Sequence, residues 1–175
     1  MGDDAEAVAR VIVSNTGPLL HLGQVEAQYL LHLLGNVYVP HEVLEELVRL
    51  SPQRGWEDLT VVDIQPLFAK QAQQWIDAGY LDRGEAAAIA LAKQIECEWF
   101  FTDDTRARVF ARALGLEVHG TLGVVIACAS LNLITVVHAR QLVSRLYHES
   151  SLWLSARVFE EAMRSLDRLA QDTSQ

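Results

Sequence analysis

Two cysteines in 175 residues leave no disulfide framework to build on. Cys97 and Cys128 lie far apart in apolar surroundings, and neither has a second Cys or His at zinc-like spacing. Both read as reduced core residues. An excess of positive charge is also absent. Lys and Arg number 14 against 23 Asp and Glu, a formal net charge of −9. That excludes a protein holding nucleic acid through a broadly basic surface. It still permits an enzyme that grips nucleic acid locally, because site carboxylates add to the count and a bound divalent cation reverses the local sign. The longest apolar region, Leu122 to Val137, is broken by Gly123, Ser130 and Asn132 and is too short to span a bilayer. The acidic start Met1-Gly2-Asp3-Asp4 lacks the basic residues of a signal peptide, so a cytoplasmic location is expected. No Gly-x-Gly-x-x-Gly turn follows the first predicted strand, which argues against a nucleotide-binding Rossmann enzyme. Internal repeats, linkers and low-complexity segments are missing too. One domain over 1–175 is expected, with flexible tails at about 1–9 and 171–175.

What the chain does have is alternation. Half of its residues are hydrophobic and 21% are charged, enough for a real core. Val11-Ile12-Val13 reads as a short buried strand ending at Ser14-Asn15-Thr16, with Pro18 near the first turn of the next helix. A second helix is predicted from Val25 to Leu34, stopping at Gly35-Asn36. Then come a brief strand, Val37-Tyr38-Val39, and a helix from His41 to Leu50 between Pro40 and Pro52. A strand over Leu59 to Ile64 precedes helices from Pro66 to about Ala78 and from Glu85 to Ile95. Trp99-Phe100-Phe101 is a strand, Thr105 to Leu114 a helix, and Leu116 to His119 a short extended piece. An apolar helix is predicted after Gly120-Thr121-Leu122-Gly123, running to about Ala129. Thr135 and Ser155 cap the last two helices. Short strands between helices imply an α/β fold with a parallel sheet and helices on both faces.

Carboxylates, or a residue that can replace one, recur at the strand ends and helix starts. The apolar run Trp99-Phe100-Phe101-Thr102 ends abruptly in Asp103-Asp104. In an open α/β sheet this is the crevice where ligands bind, although one Asp can equally cap the following helix. At about 100° per residue, Val43, Leu44, Leu47, Val48 and Leu50 share a helix face with Glu46 at its edge. Glu46 is therefore either solvated and paired or aimed at a site. Glu85 sits in the first turn of its helix, where a negative charge is worth roughly 0.3–1 kcal/mol against the helix dipole. The alanines that follow it let that helix approach the sheet closely. Asn15 closes the first strand. Gathered carboxylates repel unless protons or cations neutralise them. Oxygen donors without a Cys or His set point to Mg²⁺ or Mn²⁺, and thus to attack of a metal-activated water on a phosphodiester.

These residues, in this order, resemble PIN-domain proteins of the DUF3368 subgroup. The resemblance is carried by Val11-Ile12-Val13-Ser14-Asn15-Thr16-Gly17-Pro18-Leu19-Leu20, by Val39-Pro40 through Glu46-Leu47, and by Leu81-Asp82-Arg83-Gly84-Glu85 with its run to Ala92. It continues through Thr102 to Arg108, Gly120-Thr121-Leu122-Gly123 and Leu152-Trp153-Leu154-Ser155. The resemblance implies a Rossmann-like three-layer α/β/α fold and a metal-dependent endoribonuclease acting on single-stranded RNA. It further implies the toxin of a toxin–antitoxin pair, a homodimer held inactive by a small antitoxin. The family's acidic cluster falls on Glu46, Glu85, Asp103 and Asp104 as catalytic residues. Asn15, Glu85, Asp103 and Asp104 fall in the metal set, with Asp104 better matching the threonine-any-aspartate spacing.

The departure is Asn15, which stands where the family usually has Asp. Its amide oxygen can coordinate a cation but adds no charge, and an Asx turn is its alternative role. A catalytically weak binding or regulatory protein of the same fold is therefore the second reading. For substrate contacts the candidates are Thr16, Thr102, Arg106 and Arg108, while Arg112 reads as a solvated neighbour of Arg108. His21, His41, His119 and His138 show no ligand spacing and read as structural or surface residues.

Overall fold

The computed structural model of the protein describes residues 9–172. β1 (Arg10–Ser14) lies at the centre of a five-stranded parallel sheet. On one side it pairs with β2 (Gly35–Val39), which pairs with β3 (Thr60–Val61). On the other it pairs with β4 (Trp99–Phe101), which pairs with β5 (Val118–His119). The order β3-β2-β1-β4-β5 reverses direction between β1 and β4, the kind of switch point where open α/β sheets bind ligands. Ser14 is in register with Phe101, and Phe101 with His119. The residues following these three strands therefore emerge side by side.

Helices enclose the sheet in an α/β/α arrangement. α1 (Thr16–Gln24) and α2 (Tyr29–Leu34) pack with α7 (Thr121–Ser130), on which α8 (Val136–Glu149) and α9 (Ala156–Asp172) stack. α4 (Pro66–Asp77), α5 (Arg83–Gln94) and α6 (Thr105–Ala113) form the other group, and α3 (His41–Leu50) touches both α1 and α5. Every residue of α5 from Glu85 to Ala92 is buried, so the alanine run does bring this helix close to β1. Ile12, Val13, Phe100 and Phe101, all fully buried, form the centre of the core. Gly35 is required by contact: a Cβ there would lie 2.3 Å from the Arg10 carbonyl oxygen.

Several expected boundaries shift, and four of the shifts have an identifiable cause. α2 begins at Tyr29 rather than Val25, because α1 ends in a turn with Glu26 at φ 56° and Ala27 N–H bonded back to the Leu22 carbonyl. β3 is two residues long rather than six, because its partner β2 ends at Val39 and Pro40 turns the chain into α3. α5 starts at Arg83, two residues early, on an Asp82 cap. α7 starts at Thr121, with Gly123 inside its first turn, for a reason found in the site. Most of the two expected flexible tails lies outside the described residues, and α9 extends to Asp172.

Candidate active site

The carboxyl edges of β1 and β4, the start of α5 and one face of α3 border a crevice of about 310 Å³. Asn15, Thr16, His21, Glu46, Asp82, Glu85, Thr102, Asp103 and Asp104 all line it. Sequence positions from 15 to 104 thus meet in one place. Capping at the starts of α1, α5 and α6 orients Asn15, Asp82, Glu85 and Asp104.

α5 opens with a reciprocal capping box. Asp82 Oδ1 accepts the Glu85 N–H at 2.8 Å, and Glu85 Oε2 accepts the Asp82 N–H at 3.0 Å. This leaves the buried Glu85 carboxyl beside Asp104 in the crevice. Asp104 in turn caps α6, its Oδ1 accepting the Ala107 N–H at 2.8 Å. Burial pushes the Glu85 carboxyl up to about 7, and the nearby charges of Asp82 and Asp104 add to the rise against the Asp82 N–H bond. Burial and the neighbouring carboxylates thus favour the protonated form of Glu85.

Asp103, one residue away, is the reverse case. Its Oδ1 accepts the Thr121 N–H at 2.8 Å, and its Oδ2 accepts the Thr121 hydroxyl at 2.6 Å and His21 Nδ1–H at 2.8 Å. Burial alone would raise its pKa. The donors from His21 and Thr121 outweigh burial and hold it below the ordinary carboxylate value. This anion is what starts α7 at Thr121. The clasp is tightly built: a Cβ on Gly120 would lie 2.9 Å from Asp103 Oδ1 and 2.6 Å from Arg108 Nη2.

Asn15 caps α1, its Oδ1 accepting the Thr16 N–H at 2.9 Å, while its Nδ2–H donates to Thr102 Oγ1 at 3.4 Å. It therefore occupies the Asx role and lines the crevice at the same time. Thr16 donates its hydroxyl to Glu46 Oε2 at 2.5 Å, fixing the carboxylate that sequence placed only at a helix edge. Gly84 allows this approach, since a Cβ there would come within 3.3 Å of the same oxygen. Thr102 Oγ1 also accepts the Asp104 N–H.

The two arginine candidates lie differently from the threonines. Arg108 donates to the Thr102 carbonyl at 3.1 Å, bracing the end of β4 rather than lining the crevice. Arg106 is exposed and does not line it either. Two residues that sequence reasoning left out do line it: Asp82, hidden in an apparent lead-in loop, and His21. The signal for Asp82 was available, because Asp followed three residues later by Glu before an apolar run marks a capping box. His21 carried no such signal.

Among the described residues, no group of three or more His, Cys, Asp and Glu side chains could hold a metal ion as they stand. Glu85 and Asp104 do offer hard oxygen donors in one crevice, of the kind a divalent cation takes. Among the described residues no helix is long and apolar enough to cross a membrane.

A parallel sheet flanked by helices, with acids gathered at its carboxyl edge at a switch in strand order, defines a Rossmann-like α/β/α protein. The chain matches the DUF3368 family, described as a PIN domain, over residues 11–168, and belongs to it. PIN domains are in general nucleases that act on RNA and use divalent metals. No curated protein matches the chain.

Proposed function

We propose that this chain, as a single domain, is a metal-dependent endoribonuclease that hydrolyses phosphodiester bonds in single-stranded RNA. One observation carries the reading. Glu85 and Asp104 line the same crevice at the sheet's carboxyl edge, where burial and the charges of Asp82 and Asp104 raise Glu85 to about 7. Buried like charges are costly unless a proton or cation lies between them. In a PIN-domain chain, Mg²⁺ or Mn²⁺ is the natural occupant.

Glu85 and Asp104 would hold the cation, with the Asn15 amide oxygen as a neutral neighbour and Glu46, fixed by Thr16, at the rim. When bound, the cation supplies neutralisation of phosphate charge and a more acidic water at neutral pH. Asp103 acts by bracing the floor through Thr121 and His21. Purified protein with Mn²⁺ should cleave single-stranded RNA, and a Glu85→Ala/Asp104→Ala variant should not. Equal cleavage by both would identify a contaminant and remove the assignment.

Asn15 favours a second reading, a PIN-fold binding or regulatory protein of low activity, because the first-strand position supplies no charge and its oxygen already caps α1. Creation of activity by Asn15→Asp in an inactive parent would support that reading; comparable activity in the parent would end it. The toxin role, a small antitoxin, a homodimer and a cytoplasmic location belong to the same proposal. They rest on kinship with the family and on exposed apolar side chains such as Tyr80, Val109 and Trp153. A short reading frame beside this one whose product suppresses cleavage would support the pairing.

A further inference from the structure

Asn15 supplies the only side-chain amide among the residues lining the crevice, and it is 7% exposed. Its partners fix which way that amide faces. Only the oxygen can accept the Thr16 N–H, at 2.9 Å, so Nδ2 lies on the other side, 3.4 Å from Thr102 Oγ1. Thr102 Oγ1 accepts the Asp104 N–H as well, which keeps the threonine an acceptor toward the amide. The amide nitrogen carries two hydrogens, and Thr102 takes one. The other has no protein acceptor among the described residues. The crevice carboxylates are met by different donors: Thr16 on Glu46, the Asp82 N–H on Glu85, the Ala107 N–H on Asp104, and Thr121 with His21 on Asp103.

The Asn15 oxygen is poorly placed for a cation. It sits at the start of α1, where the helix carries partial positive charge. Gly17, in the same turn, also lines the crevice, and its N–H has no acceptor among the described residues. Unpaired N–H groups at a helix start suit an anion. In a crevice otherwise rich in carboxylates, this wall is where an anionic oxygen meets donors. We propose that Asn15 stands outside the cation's ligands and donates its free Nδ2–H to a non-bridging oxygen of the scissile phosphate. This deepens the ribonuclease reading above and rests on it. An Asp at this position would keep the cap but reverse the role, offering an acceptor to metal and no donor to phosphate.

The test separates metal from phosphate at this one residue. Asn15→Ser retains a hydroxyl that can cap α1 but ends short of the Nδ2 position. Its Mn²⁺ affinity, read without RNA from the electron paramagnetic resonance of free Mn²⁺, should match the parent's. Its kcat/KM on a single-stranded RNA oligonucleotide with Mn²⁺ should fall about ten- to a hundredfold, the worth of one hydrogen bond to a charged group. A loss of Mn²⁺ affinity of about tenfold or more, the scale of a disturbed metal site, would overturn the proposal. So would an unchanged kcat/KM. Should Asn15→Ser not fold, Asn15→Asp decides, because it keeps both cap and shape: it should bind Mn²⁺ more tightly yet cleave more slowly than the parent. Faster cleavage by Asn15→Asp than by an active parent would overturn the proposal. Absence of any cleavage by the parent with Mn²⁺ would instead reject the ribonuclease reading, and the Mn²⁺ titration would still decide whether Asn15 is a ligand.

Discussion

Asp103 and Asp104 are consecutive carboxylates at the end of one strand, yet they occupy opposite electrostatic surroundings. Three donors from His21 and Thr121 saturate Asp103 and keep it ionised. Asp104 receives one backbone N–H and otherwise faces another acid, Glu85. Backbone alternation separates them: one side chain turns toward α7, the other toward α5. The first arrangement stabilises the fold. The second sets Asp104 beside the buried, raised Glu85, and that asymmetry is what the proposed roles of the two acids rest on.

The widest separation should come from exchanging each acid for its amide. Glu85→Gln should lower Mn²⁺-dependent cleavage by more than about a hundredfold, the scale of losing a central group in such chemistry, with the protein still folded by circular dichroism. Asp103→Asn should instead lower stability by about 2–3 kcal/mol, because an amide cannot accept from three donors and charged hydrogen bonds are worth about 1.5–3 kcal/mol each. Denaturant titration would measure it. If Glu85→Gln unfolds the protein while Asp103→Asn abolishes only cleavage, the assignment of roles is reversed.

Gly120→Ala probes the clasp without altering its charge. The added carbon would press on Asp103 and Arg108, at an expected cost of about 1–2 kcal/mol, within the usual range for overpacking. Its thermal midpoint should fall, and cleavage measured below that midpoint should persist.

The pH dependence of metal-free stability is the subtlest comparison. Glu85 rises from 4.5 to about 7 on folding, so between those values the folded state binds more protons than the unfolded one. Its contribution therefore declines as pH rises from about 4.5 through 7. Asp103 is lowered on folding, so its contribution is present above the ordinary carboxylate pKa and is lost as pH falls through the lowered value. Midpoints in EDTA should decline on both sides of a mildly acidic maximum. Saturating Mg²⁺ or Mn²⁺ should remove the decline on the alkaline side, and a decline that persists unchanged would place the cation elsewhere.

Much of the architecture was legible because it is local. Strand–helix alternation, proline at helix starts and glycine stops follow from backbone sterics, which is why β1, α3, α4, β4 and α6 appear close to where the pattern placed them. Two of the misplaced boundaries depend on distant partners. β3 is short because β2 runs out, and α7 starts early because Asp103, 18 residues before Thr121, supplies its cap. The acids could be named from spacing and kinship, but their division of labour could not. Asp103 and Asp104 are the same residue type at adjacent positions, and nothing in their order says which one meets His21 and which meets Glu85.

By itself, the sequence determined a parallel α/β chain of the PIN kind, acidic overall, with Asn15 in place of an acid after the first strand. These properties reside in periodicity, composition and short motifs. Tertiary structure decided that Asp103 is a clasp, that Asp104 lies beside the buried Glu85, and that His21 belongs to the crevice. Hydrogen-bond saturation and desolvation depend on which groups from remote segments arrive within about 3 Å, and only the folded chain determines that.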